Sequence, residues 1–149
     1  MISLDFQSPY LCIWAGRHDK TAERLRAIVA ANFHPGRNGM AFDDDSGAMS
    51  AWYALAQIGI YPNAGQDVYL IGSPTIPETG FHLGEGSDLR IVARNLSVTN
   101  KYVVGAELNG KPLDRVWFRH AEIAHGGTLV LMMAAQPSHW AADDEPSSF

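Results

Sequence analysis

The chain has 149 residues, the length of a single domain. Hydrophobic residues make up 46% and charged residues 18%, a globular balance that excludes intrinsic disorder. Eleven Lys and Arg against sixteen Asp and Glu leave a net charge of -5, without the basic footprint of a nucleic-acid binder.

The first third reads as helical. Residues 9–15 are apolar and aromatic, and Gly16 followed by Arg17, His18 and Asp19 supplies a stop. Over residues 20–33 the apolar positions Leu25, Ile28, Val29 and Phe33 recur at helical spacing, with Glu23, Arg24 and Arg26 on the other face. Thr21 is the expected cap of this helix, and the turn-rich run of residues 34–39 breaks it. A third helix is expected from about Ser46 to Pro62, capped by Ser46 or Asp45. Met49, Trp52, Tyr53, Ala56 and Ile60 trace its apolar face, and Pro62 ends it.

Beyond Gly65 the texture changes to short runs rich in β-branched and aromatic residues, at 68–71, 81–83, 89–93, 102–108, 116–118 and 128–133. Turn signals separate them. Gly84-Glu85-Gly86 reads as a turn between strands, and Asn109-Gly110 is the strongest hairpin signal in the chain. Helices first and antiparallel strands after define an α+β fold. Residues 1–64 form the helical segment, residues 65–140 an antiparallel β module, and the polar residues 141–149 a flexible tail.

No run approaches the roughly 18 apolar residues of a membrane-spanning helix. The first 14 residues lack a basic n-region and a small-residue cleavage site, so no signal peptide is expected there. A lone cysteine, Cys12, excludes an internal disulfide and a multi-thiolate metal site. The six histidines show no zinc-type spacing, and residues 121–124 between His120 and His125 fit one helical turn.

One segment concentrates charge: Asp43-Asp44-Asp45-Ser46-Gly47, directly before the third helix. Adjacent carboxylates repel, so something must compensate them. A helix N-terminus stabilises anions. A hard cation such as calcium takes carboxylate oxygens. A catalytic site needs an ionised carboxylate as a base. All three remain open on the residues alone. Trp52 and Tyr53 lie about two turns further on, placed to line a pocket rim.

The run DDDSGAMSAWYALAQIGIYP, followed by Tyr69-Leu70-Ile71-Gly72-Ser73-Pro74, resembles glycoside hydrolase family 92. Its motif runs roughly G-N-[DE]-D-x-G-x-M-S-A-W-Y. Similarity extends to Pro9-Tyr10-Leu11, Ala15-Gly16, Lys20-Thr21, Leu108-Asn109-Gly110-Lys111-Pro112, His120-Ala121-Glu122-Ile123 and Gly126-Gly127-Thr128-Leu129. The family comprises calcium-dependent, inverting exo-α-mannosidases with an N-terminal β-sandwich, an (α/α)6 barrel and trailing strands. The resemblance therefore implies that this chain corresponds to the C-terminal portion, with the last barrel helices followed by the β module. It implies a general base drawn from Asp45 and Asp43, substrate contacts from Asp44, Trp52 and Tyr53, and an α-linked mannoside as substrate. Calcium is the implied cofactor, with ligands that this chain does not identify. Two positions depart from the pattern: Phe42 replaces the motif's first glycine, and the family's N-E-P triplet falls on Ile2-Ser3-Leu4, without its Glu. The family's general acid lies upstream of the matched region, so weak or no turnover is expected of these residues alone. Three helices cannot close a barrel, so their apolar faces call for self-association or a chain supplying the missing domains. Family enzymes are often periplasmic or secreted. The alternative reading is a non-catalytic module that binds carbohydrate or a partner chain. No nucleic-acid or membrane partner is expected.

Overall fold

The computed structural model describes residues 5–40 and 43–147. Its elements follow in the order expected of the α+β class, helices before strands. A 3-10 helix at Ser8–Ala15 ends at Gly16, whose φ of 64° turns the chain into α1, His18–Asn32. Helix α1 starts a turn earlier than Thr21 predicts. The Arg17 carbonyl accepts from the amides of Lys20 and Thr21, and Thr21 is fully buried rather than capping.

Helix α2, Ala48–Ile58, is also shorter than its apolar pattern suggests. Gly59 stops it by adopting φ 90° and donating its amide to the Leu55 carbonyl. Glycine enters that left-handed state readily. Ile60 continues the helical period in sequence but opens a strand, β1, Ile60–Pro62. Strand β1 pairs antiparallel with β2, Val68–Ile71.

The remaining strands are β3 (Glu78–Gly84), β4 (Ser87–Arg94), β5 (Tyr102–Leu108), β6 (Lys111–Pro112), β7 (Trp117–Arg119) and β8 (Gly127–Ala134). They form two sheets, ordered β1-β2-β7 and β3-β4-β8-β5-β6. The second departs from the all-antiparallel expectation at one seam, where β4 and β8 run parallel from Leu89↔Gly127 to Arg94↔Met132. At the β5–β6 turn Asn109 and Gly110 have φ of 53° and 76°, the doubly left-handed geometry of a type I′ hairpin.

The three-stranded sheet partitions the interior. Side chains alternate along a strand, so Val68 and Leu70 join the helical cluster with Tyr10, Leu25, Met49 and Trp52. Ile71 instead joins the β cluster with Leu129, Leu131 and Phe118. Trp140 packs against both. The polar tail, expected to be flexible, follows Trp140 back over the fold through residue 147. The Trp117 indole donates to the Asp144 carbonyl at 3.3 Å, and Gln66 Nε2 donates to the Ser147 carbonyl at 3.1 Å.

Gly126 fixes the entry to β8. Its φ is 84°, and a Cβ there would lie 2.5 Å from the Asp88 carbonyl oxygen. Gly126→Ala is expected to lower the melting temperature, by more than the roughly 1–2 kcal/mol of a left-handed non-glycine residue alone. A thermal melt followed by circular dichroism checks this.

Candidate functional site

The acidic loop is a left-handed turn that delivers the chain into α2. Asp45, Ser46 and Gly47 have φ of 43°, 59° and 89° in succession. Two consecutive non-glycine residues in that region are strained, and such strain clusters at functional sites. Backbone bonds hold the turn closed: Gly47 and Met49 donate to the Asp44 carbonyl at 3.1 and 3.2 Å, and Ala48 donates to that of Asp45 at 3.2 Å.

The three carboxylates then divide by partner. Asp44 Oδ1 accepts from the Ser50 amide at 2.8 Å, and the Ser50 hydroxyl lies 2.7 Å from each Asp44 oxygen. Asp44 therefore performs the capping expected of Ser46 or Asp45, whose side chains do not cap α2. The Ser50 hydroxyl, then its amide, hold the Asp44 carboxyl below the usual carboxylate range. This corrects the expectation of Asp44 as a substrate contact: its oxygens are committed to the scaffold. Asp43 and Asp45 are exposed and, among the described residues, make no ion pair or side-chain hydrogen bond.

The capping pair gives a direct prediction. Asp44→Asn and Ser50→Ala each lower the melting temperature, and the double variant falls by less than the sum because both remove one interaction. Because folding depresses the Asp44 pKa, its contribution is present at neutral pH and lost as pH falls through and below the carboxylate range. Asp44→Asn therefore flattens the acid limb of the stability profile. Additive single effects in thermal melts would remove the coupling.

Behind the loop lies an aromatic stack. Trp52 is 5% exposed, and its indole donates to the Phe6 carbonyl at 3.0 Å. Its ring centroid is 6.1 Å from Phe33 and 6.4 Å from Phe6. Trp52 is thus a core residue, a correction to its expected place on the pocket rim. Tyr53 is half-buried and stacks on Phe33 at 4.3 Å. The stack braces α2 beneath the loop. Ser50 and Phe33 were the functional neighbours that sequence spacing missed. Their signal is three-dimensional, apart from the serine six residues after Asp44.

Residues Ser3 and Phe42, where the sequence departs from the family motif, lie outside the described residues. No three His, Cys, Asp or Glu side chains converge to hold a metal among the described residues. With Asp44 engaged by Ser50, the acidic loop alone does not fit the oxygen-rich shell that calcium requires.

Partner-free carboxylates beside a strained helix entry are the equipment of a glycoside hydrolase, which works with a carboxylate pair. The glycosyl hydrolase family 92 catalytic domain matches residues 4–135. The chain belongs to that family. It is 32% identical over 148 residues to a protein of Arthroderma benhamiae described as an uncharacterized secreted glycosidase, covering 96% of this chain and 19% of that protein. Among solved structures, it resembles a family GH92 α-mannosidase from Bacteroides thetaiotaomicron in complex with mannoimidazole. The TM-score is 0.90 at 29% identity, over 96% of this chain and 19% of that one. A family GH92 inverting mannosidase from the same organism gives a TM-score of 0.86 at 32% identity, over 95% and 20% of the two chains. The chain spans about a fifth of the length of these relatives.

Proposed function

We propose that this chain carries the base side of an inverting α-mannosidase site, with Asp45 as general base and Asp43 beside it. The observation that carries the reading is the division of labour in the acidic loop: Asp44 is locked onto Ser50, while its neighbours keep exposed carboxylates in a turn held left-handed at Asp45 and Ser46. A base must be ionised and reachable, and an exposed carboxylate is both at neutral pH.

In this reading a water lies between Asp45 and the anomeric carbon of a terminal α-linked mannose. As the water oxygen bonds to that carbon, Asp45 takes its proton and the glycosidic C–O bond breaks. The leaving oxygen takes a proton from a general acid on the opposite side, with the two carboxyl groups roughly 6.5–9.5 Å apart. The product is β-mannose.

The acid belongs to residues outside this chain. A general acid must be protonated at working pH, so its pKa is raised by burial or a like charge. Among the described residues, each carboxyl with a resolved shift, Asp19, Glu23, Asp44 and Glu78, is held down instead by a hydrogen-bonding or cationic partner. The relatives, about five times longer, have room for such a residue. Calcium enters no step here, since the donor set does not fit it.

The test is mannose release from an α-linked mannobiose by the purified, folded chain, with calcium and then with EDTA. The expected result is no release at enzymatic rates in either condition. Turnover at ordinary rates would show a complete acid–base pair within the 149 residues and overturn the assignment of the acid elsewhere. Release only with calcium would overturn the metal-free reading.

A further inference from the structure

A cleft of about 370 Å³ opens between the start of α1, the start of β5 and the C-terminal strap of residues 137–142. None of its lining residues belongs to the acidic loop or α2. Its volume falls in the roughly 300–1,000 Å³ range of small-molecule sites.

The walls are fixed. Trp140 donates its indole N–H to the Leu113 carbonyl at 2.9 Å and meets the His18 ring edge-on at 5.7 Å. His18 is 8% exposed, and its Nε2 lies 2.9 Å from the Ile71 carbonyl. A carbonyl only accepts, so Nε2 carries the proton and Nδ1 is left as the ring's acceptor. Burial holds the His18 pKa down, against opposing contributions from the Ile71 and Gly72 backbone and the Asp19 charge. The ring therefore stays neutral at neutral pH.

The charges on the cleft wall cancel. Arg17 Nε and Nη2 donate to Asp19 Oδ1 and Oδ2, each at 2.8 Å, a bidentate pair. The Tyr102 hydroxyl is already committed to Glu23 Oε1 at 2.9 Å. What remains on offer is an imidazole acceptor, the unused lone pairs and N–H groups of the Arg17–Asp19 fork, and the indole of Trp140. Neither an anion nor a cation matches a wall whose ion pair is internally satisfied. A ligand with several hydroxyls and an apolar C–H face matches each feature. The geometry points to a binding site for a neutral carbohydrate, separate from the acidic loop, with Trp140 as platform and Arg17, His18 and Asp19 as the polar wall. The choice of a mannosyl ligand, though not the existence of the site, rests on the function proposed above.

The experiment is a titration of the purified chain with α-linked mannobiose, followed by ¹H–¹⁵N NMR. Saturable shifts are expected at the Trp140 indole and at amides of residues 16–19 and 138–142. Ser138→Trp, at an exposed position that fills the cleft without removing core, is expected to weaken binding at least about tenfold, a loss of roughly 1.4 kcal/mol. Asp45→Asn leaves the cleft shifts unchanged. Shifts confined to residues 43–53, no saturable shift, or unaltered binding by the Ser138→Trp variant would overturn the site. Because the readout is binding, it stands apart from hydrolysis: a chain that releases no mannose yet shows these shifts supports the cleft, and a hydrolysing chain without them removes it.

Discussion

Asp45→Asn is expected to lower hydrolysis of α-mannosyl fluoride by this chain about 10²–10⁴-fold, the usual contribution of a general base. Fluoride departs without being protonated, so this substrate needs only the base side that the chain holds. The amide keeps the size of the carboxylate but cannot accept the proton of the attacking water. Asn also tolerates the left-handed φ of 43° at this position, so the turn survives the change. Circular dichroism and the melting temperature are therefore unchanged. Asp43→Asn has a smaller effect, because Asp43 acts as the neighbour rather than the proton acceptor. Initial rates from a fluoride-selective electrode decide between them. Equal rates for wild type and Asp45→Asn would take the base away from this position.

The largest stability effect is expected at Phe118. Its side chain is completely buried in the β cluster, and its ring stacks on Tyr69 at 5.2 Å. Phe118→Ala removes the ring and leaves a cavity lined by side chains of both sheets, at about 3–5 kcal/mol. A domain of this size has only about 5–15 kcal/mol in total, so the variant sits near its unfolding limit at room temperature. Val98, 94% exposed, provides the contrast: its replacement by Ala changes stability by less than about 0.5 kcal/mol. Urea midpoints for the two variants test both statements. A loss below about 1 kcal/mol at Phe118 would contradict the burial argument.

Local pattern was legible in the sequence, and pairing was not. The 3.6-residue period of Leu25, Ile28 and Val29 located α1, and the runs 68–71 and 102–108 match β2 and β5 end to end. Asn109-Gly110 announced its turn because few other dipeptides accept two positive φ angles. The parallel seam between β4 and β8 has no such local mark, since any apolar strand pairs in either direction. Gly59 hid the end of α2 because Ile60 keeps the helical period after the backbone has left it. The tail looked flexible by composition, yet it is held through its main-chain carbonyls, which every residue carries. At the site, the acidic run was visible at once. Which carboxylate is structural depends on Ser50, and whether Trp52 faces solvent depends on Phe6 and Phe33, none of which adjacency reveals.

The most direct test of the central assignment is stereochemical. The folded chain is incubated with α-mannosyl fluoride, and the first mannose anomer formed is followed by ¹H NMR before mutarotation. Water delivered by Asp45 from the face opposite the departing fluoride gives β-mannose first, at a rate that Asp45→Asn removes. First-formed α-mannose, or no hydrolysis above the buffer rate from a folded sample, would contradict an inverting base in this loop.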